Sequence, residues 1–414
     1  MALKLALFLF VFSTAVKAAG LNSDVISSVR QNLVQTATHS WELGTAAEAL
    51  LELDWPALSV FSPSAFPPPY QLNDTLNAND VLRIAENVVA AKPADSLALV
   101  PDGSAGDPAS IGVAVLLANW TKPDPTNFTY STAVGDQLNY LLNVAPRTAS
   151  GAISHRTDEA QLWADFVYMT PPFIAYFGAL QGGDSESALL QIAYEQCSLY
   201  RDGLRDENGL WRHVAEGSWQ DNTHWATGNA WAAAGMLRVL ATLNYTSQAQ
   251  NFVAQRANLT SWIQEIITAT WQHQSENGTL LNVIDDPTSF ADSASTALLA
   301  YVTYRMALHT GDYTLIPNAD KALQLVESSI DSQGLLRNTV NPYTFNTAST
   351  PDVPSPEGQA FVLLLHSAWR DGNFSSDSTS GGAPDGNGNA GNDDGDDDGS
   401  LFPQQCRLVM RRRR

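Results

Sequence analysis

At intervals of roughly sixty residues, a short polar or aromatic entry opens a run of small and apolar residues long enough to form a buried helix. The six runs start at Ser40 (SWELGTAAEALLEL), Asp107 (DPASIGVAVLLANW), Asp165 (DFVYMTPPFIAYFGAL), His224 (HWATGNAWAAAGMLRVL), Asp292 (DSASTALLAYVTYRMAL) and Pro356 (PEGQAFVLLLHSAWR). Segments of another kind precede them, amphipathic with a polar face, over residues 23–38, 77–92, 132–144, 184–204, 247–272 and 318–330. A helix apolar nearly all round belongs inside a fold, and one with a charged stripe covers it. Each repeat therefore reads as an outer helix followed by an inner one. Six such hairpins predict an all-α fold, an (α/α)6 toroid.

If outer and inner helices alternate in direction, all inner N-termini open at one end, and the residues that begin them converge on one mouth. Close packing alone would account for the Ala and Gly of the inner runs. It does not account for acids at three of the six starts, Asp107, Asp165 and Asp292, or for aromatic residues at others.

A toroid of this kind uses most of a 414-residue chain as one unit, expected over residues 19–374. A net charge of -21 argues against nucleic acid or an anionic membrane as partner. Residues 1–18 read as a secretory signal: Lys4, an apolar run from Leu5 to Phe12, then small residues up to a cut after Ala18. Seven N-x-S/T sequons follow, at Asn73, Asn119, Asn127, Asn244, Asn258, Asn277 and Asn373, so a secreted, extracellular, N-glycosylated protein is expected. Cys197 and Cys406 are the only cysteines, one in an outer helix and one in the tail, and no structural disulfide is expected. Residues 375–414, rich in Gly and Asp with an Arg-rich end, read as a disordered tail. A monomer is expected.

No nucleotide-binding or hydrolase-elbow motif is placed on a strand and helix as its chemistry requires, and the seven His include no HxxxH pair. No cofactor and no metal are therefore expected. Carboxylates remain. Asp107 and Asp165 open neighbouring inner helices and both reach the mouth, and paired carboxylates with aromatic walls suit acid/base chemistry on sugars. Trp163, Phe166 and Tyr168 surround Asp165, and burial against rings raises a carboxyl pKa. Asp107 also reads as a simple N-cap beside Pro108. The fourth start is densest in aromatic and polar groups: Trp211, His213, Trp219, His224, Trp225, Asn229 and Trp231. Indole rings stack on pyranose faces, and His or Asn fix hydroxyls. Trp225 reads equally as packing or ligand, and Trp231 and His213 as cavity residues.

The stretches WADFVYMTPPFIAYFGAL, GLWRH and WATGNAWAAAGMLRVLATL, with DSASTALLAY and EGQAFVLLL, resemble the unsaturated rhamnogalacturonyl and unsaturated glucuronyl hydrolases. These are the six-hairpin glycosidases of glycoside hydrolase families 88 and 105, and the resemblance runs from about Trp41 to Arg370. It implies Asp165 as general acid and base within W-x-D-x-x-[YF]-M, and Asp107 as the second essential acid. It also implies substrate contacts from His213 and Trp231 and sets Trp163 beside Asp165, and Trp41, His224 and Asn229 are further expected substrate-binding residues. The implied substrate is an oligosaccharide released by a lyase, whose terminal uronic acid carries a C4–C5 double bond. Asp165 protonates C4, and with Asp107 it helps water add at C5. The resulting hemiketal then opens and the glycosidic bond falls apart.

One position departs from the pattern. Where the family typically has Arg in W-A-R-G-N, an Arg suited to a uronate carboxylate, this chain has Thr227. Arg212 and Arg156 are the candidates to substitute. A conventional glycosidase on saturated glycans and a non-catalytic carbohydrate-binding protein are the alternative functions.

Overall fold

The apolar runs fold as helices buried on every side, and the computed structural model describes them within residues 20–374. The expected secretory signal, the expected disordered tail and Cys406 lie outside the described residues. The outer helices are α1 (Ser23–Thr36), α3 (Asn79–Ala91), α6 (Thr129–Asn143), α9 (Gly183–Leu204), α11 (Val253–Trp271) and α13 (Ile316–Ser329). The inner ones are α2 (Ser40–Asp54), the broken pair α4 (Asp107–Ser110) and α5 (Gly112–Thr121), the broken pair α7 (Phe166–Met169) and α8 (Pro171–Gln181), α10 (Ala226–Tyr245), α12 (Ser293–Thr310) and α14 (Pro356–Asp371). Each inner helix packs on the next, and α14 returns to α2, so the ring closes as an (α/α)6 toroid.

Local chemistry sets the helix boundaries. The Asn22 side chain accepts from the N–H groups of Asp24 and Val25 and starts α1. Glu42 reaches back to the N–H groups of Thr38 and His39 at 2.8 and 2.9 Å and starts α2. The third inner helix breaks at Thr170 because Pro171 and Pro172 cannot donate to the preceding turn. Gly235 in α10 lies so close to the Val167 carbonyl that a Cβ there would collide with it, which lets α10 and α7 touch.

Within the barrel, Tyr168, Trp231 and Phe361 fill the space between inner helices. The C-terminal end of the ring is closed by buried charges. Glu52 of α2 receives Nη1 of Arg238 from α10 at 2.6 Å, Nη2 of Arg305 from α12 at 2.7 Å, and the Tyr301 hydroxyl at 2.9 Å. Arg238 also pairs with Glu48, and Arg305 with Asp371 at 2.8 Å. Burial pulls Arg238 down to about 10, which leaves it charged at neutral pH. Burial also works against the Arg305 guanidinium, but Glu52, Tyr301 and Asp371 outweigh it and hold it above its ordinary value. This network spans the ring axis and forms a floor.

Cys197 is buried without a disulfide partner among the described residues. None of the seven sequon asparagines is buried. Among the described residues no helix is long and apolar enough to cross a membrane.

Candidate active site

Two short strands do what the helix pattern could not foretell. β1 (Leu162–Trp163), just before the third inner helix, pairs antiparallel with β2 (Val214–Ala215), just before the fourth. The Ala164 N–H donates to the His213 carbonyl at 2.9 Å. This pairing sets Asp165, two residues past the strand, against the His213 ring: Nε2 lies 3.6 Å from Asp165 Oδ2. Neither of those two buried atoms has a hydrogen-bond partner among the described residues, and they face each other.

His213 is held from behind. Its Nδ1 lies 2.9 Å from Asp221 Oδ2. Burial disfavours the Asp221 anion, but the bond to His213 and those from Thr223 hold this carboxyl below its ordinary value. An ionised Asp221 accepts Nδ1–H and fixes Nε2 toward Asp165. Around the imidazole stand Trp225 at 4.5 Å, Phe345 at 4.6 Å and Trp163 at 5.4 Å between ring centroids. Phe345 stacks in turn on Trp219, which is 41% exposed. The wall is apolar inside and open at its rim, as a sugar site requires. Phe345 sits at φ 45°, a strained left-handed conformation for a bulky residue.

The Asp165 carboxyl acts on that of Asp107, and the two side chains are 15% and 14% exposed. Asp107 is no N-cap: it lies in the first turn of α4, whose start makes no side-chain cap bond, and its own N–H is received by Ser104 Oγ at 2.9 Å. His155 Nε2 lies 3.7 Å from Asp107 Oδ1. The His155 ring stacks on Trp163 at 4.9 Å, and burial pushes its pKa down to about 3, so it stays neutral. Burial raises both carboxyl pKa values, with the Asp102 and Asp165 carboxylates adding to the rise at Asp107 and with His213 opposing it at Asp165. Two acids so placed retain a proton where free acids have lost it.

Asp292 occupies the same place on α12 and is a different thing. Its oxygens accept from the N–H groups of Ala294, Ser295 and Val340 and from the Thr227 hydroxyl. It is a satisfied N-cap, and Thr227 is buried against it. On the opposite side of the mouth the Trp41 ring stacks on His39 at 4.7 Å, with Tyr343 at 6.0 Å, and the Trp41 indole N–H donates to Glu357 Oε2 at 3.2 Å. Glu357, in the first turn of α14, went unnoticed in the sequence because that run opens on Pro356 and not on the acid itself.

Three expected substrate contacts are engaged elsewhere. His224 is clamped between Asp285 at 2.7 Å and Asp206 at 3.1 Å. Asn229 gives its side chain to the backbone of Trp211 and Trp225. Trp231 is 1% exposed, packed on Tyr168 and Phe361, and belongs to the core. Arg212 is likewise turned away, bonded to the Gly203 carbonyl at 2.8 Å and facing Asp206. Arg156 is the cation that acts on Asp107. Among the described residues no group of three or more His, Cys, Asp or Glu is placed to hold a metal ion. An open groove of about 770 Å3 lies apart from all of this, along α11, and its Glu265 is neutralised by Arg201 and Arg205.

The sequence pattern of Glycosyl Hydrolase Family 88 matches residues 104–350, the stretch that carries both acids, His213 and the aromatic wall. The chain belongs to this family. It is 22% identical over 245 residues to the unsaturated rhamnogalacturonyl hydrolase YesR of Bacillus subtilis (strain 168), a match covering 54% of this chain and 63% of that protein. Solved structures share the fold. A possible member of the GH105 family from Salmonella enterica superposes with a TM-score of 0.65 at 19% identity, over 84% of this chain and 93% of the other. The unsaturated glucuronyl hydrolase of Bacillus sp. GL1 superposes with a TM-score of 0.58 at 15% identity, over 83% and 94%.

Proposed function

We propose that the protein is a glycosidase of lyase-released oligosaccharides, acting on a terminal 4,5-unsaturated uronyl sugar. The observation that carries this reading is the unpartnered Asp165 Oδ2 facing His213 Nε2 beside a second raised carboxyl. Asp165 delivers its proton to C4 of the enol ether. Charge then develops at C5 and the ring oxygen, and the acid site stabilises it as water adds at C5. Asp165, now an anion next to His213, takes the proton from that water, and Asp107 orients it. The hemiketal so formed opens and releases the neighbouring sugar without attack at the anomeric carbon.

The aromatic wall of Trp163, Trp219 and Phe345 and the ring of Trp41 supply stacking faces for the sugars. Arg156, the cation whose charge acts on Asp107, attracts an anionic substrate toward the mouth. The leader-like first 18 residues and seven sequons without a buried asparagine support a secreted, glycosylated form. The experiment is a comparison of substrates. Unsaturated rhamnogalacturonan and glucuronan disaccharides are expected to lose their enol-ether absorbance, while saturated disaccharides stay intact. Cleavage of the saturated sugars alone would establish the conventional glycosidase instead.

A further inference from the structure

Glu357 is 2% exposed and sits where no structural demand explains it. The cap of α14 is made by Ser355, whose Oγ accepts the Gly358 N–H at 3.1 Å, so the Glu357 carboxyl is not needed there. Its Oε2 accepts the Trp41 indole N–H, and its Oε1 is buried with no hydrogen-bond partner among the described residues.

The groups that face it are acids: Glu42 from α2, Asp292 from α12 and Asp165 at the start of α7. The first two are already spent, Glu42 on Thr38, His39 and the His39 ring, and Asp292 on its four donors. No Lys or Arg among the described residues pairs with Glu357. Burial, reinforced by those three carboxyls, lifts its pKa well above the ordinary value and so favours the protonated form, which has an O–H to donate. Trp41, His39 and Tyr343 form an aromatic shelf beside it.

We propose that Glu357 is a substrate-binding residue whose Oε1–H donates to the carboxylate of the uronyl sugar resting on Trp41. The assignment rests on the reading of the mouth as a uronide site. It answers the problem that Thr227 creates, because a neutral carboxylic acid and a carboxylate make a strong charge-assisted bond without a buried cation. An ionised Glu357 would instead repel the substrate.

The test uses binding rather than turnover, so it is separable from the reaction proposed above. The unsaturated disaccharide and its methyl ester are titrated, by tryptophan fluorescence, into the D165N protein with and without a second substitution at Glu357. Adding E357A is expected to weaken the acid about tenfold or more and to leave the methyl ester within about twofold. Adding E357Q, which keeps a neutral donor, is expected to retain binding of the acid and to remove its weakening as pH rises. Equal loss for acid and ester, unchanged binding in E357A, or no binding of either sugar by D165N would overturn the assignment. Failure of the wild type to consume the enol ether would count against the reaction alone.

Discussion

The two ends of the barrel handle buried acids in opposite ways. At the floor, Glu48 and Glu52 meet Arg238 and Arg305 in direct ion pairs, and the Tyr301 hydroxyl also donates to the Glu52 oxygen that Arg238 reaches. At the mouth, Asp107, Asp165 and Glu357 pair with no Lys or Arg among the described residues, and their pKa values rise. The floor carboxyls tie α2 to α10 and α12 through ion pairs; burial raises the Glu52 pKa there too, but Arg305 and Tyr301 oppose the rise. Those of the mouth are acids that keep a proton ready. The same residue types, one helix length apart, serve stability at one end and chemistry at the other.

The largest break in this comparison comes from substitution at the mouth. D165N keeps shape but removes the proton donor, and turnover is expected to fall roughly a hundred- to ten-thousand-fold with the fold intact. Steady-state rates on the unsaturated disaccharide, with circular dichroism for the fold, check this. The floor responds the other way. R238A strands Glu48 and takes one of two arginines from Glu52, and is expected to cost about 3–5 kcal/mol of stability, read by denaturant unfolding.

A smaller effect sharpens the contrast through its sign. A carboxyl whose pKa is raised by folding holds protons that the unfolded chain has released, so its stabilising contribution is full below the unfolded value near 4 and is lost as pH rises through the folded one. Wild-type stability is therefore expected to decline from mildly acidic toward neutral pH. D107N and D165N are expected to stabilise the protein at neutral pH by about 0.5–2 kcal/mol, the opposite of the floor variant. Melting temperatures across pH for the wild type and both variants decide it. Smallest is R156A, which removes a partly exposed cation acting on Asp107. It is expected to raise KM for the uronide about tenfold, as loss of one charge-assisted contact does, and to leave kcat nearly unchanged.

Much of this was legible in the sequence, for a physical reason. Inner and outer helices bear different hydrophobic patterns, so the six hairpins could be laid out, and their starts agree with the observed helices within a few residues. Asp107 and Asp165 stood out because the polar openings of buried helices face one mouth, and Trp163 and His213 through the aromatic density and family resemblance around them. What escaped was pairing at long range. His224, Asn229 and Trp231 had suitable chemistry, but Asp206, Asp285, backbone amides and the rings of Tyr168 and Phe361 claim them. Asp292 looked like Asp165 until its four donors were seen. Phe345 reaches His213 from a distant loop, and Asp221 reaches it through a turn, neither with any periodic signature.

The central claim is that unpaired acids at the mouth protonate an enol ether. Its most direct test is to follow the ultraviolet absorbance of an unsaturated rhamnogalacturonan or glucuronan disaccharide in heavy water with the wild-type protein, and to analyse the released uronyl product. The account predicts that the absorbance disappears, that one solvent deuterium is carried at C4 of the product, and that D165N does neither. Release of the neighbouring sugar with the double bond intact and no deuterium at C4 would contradict it.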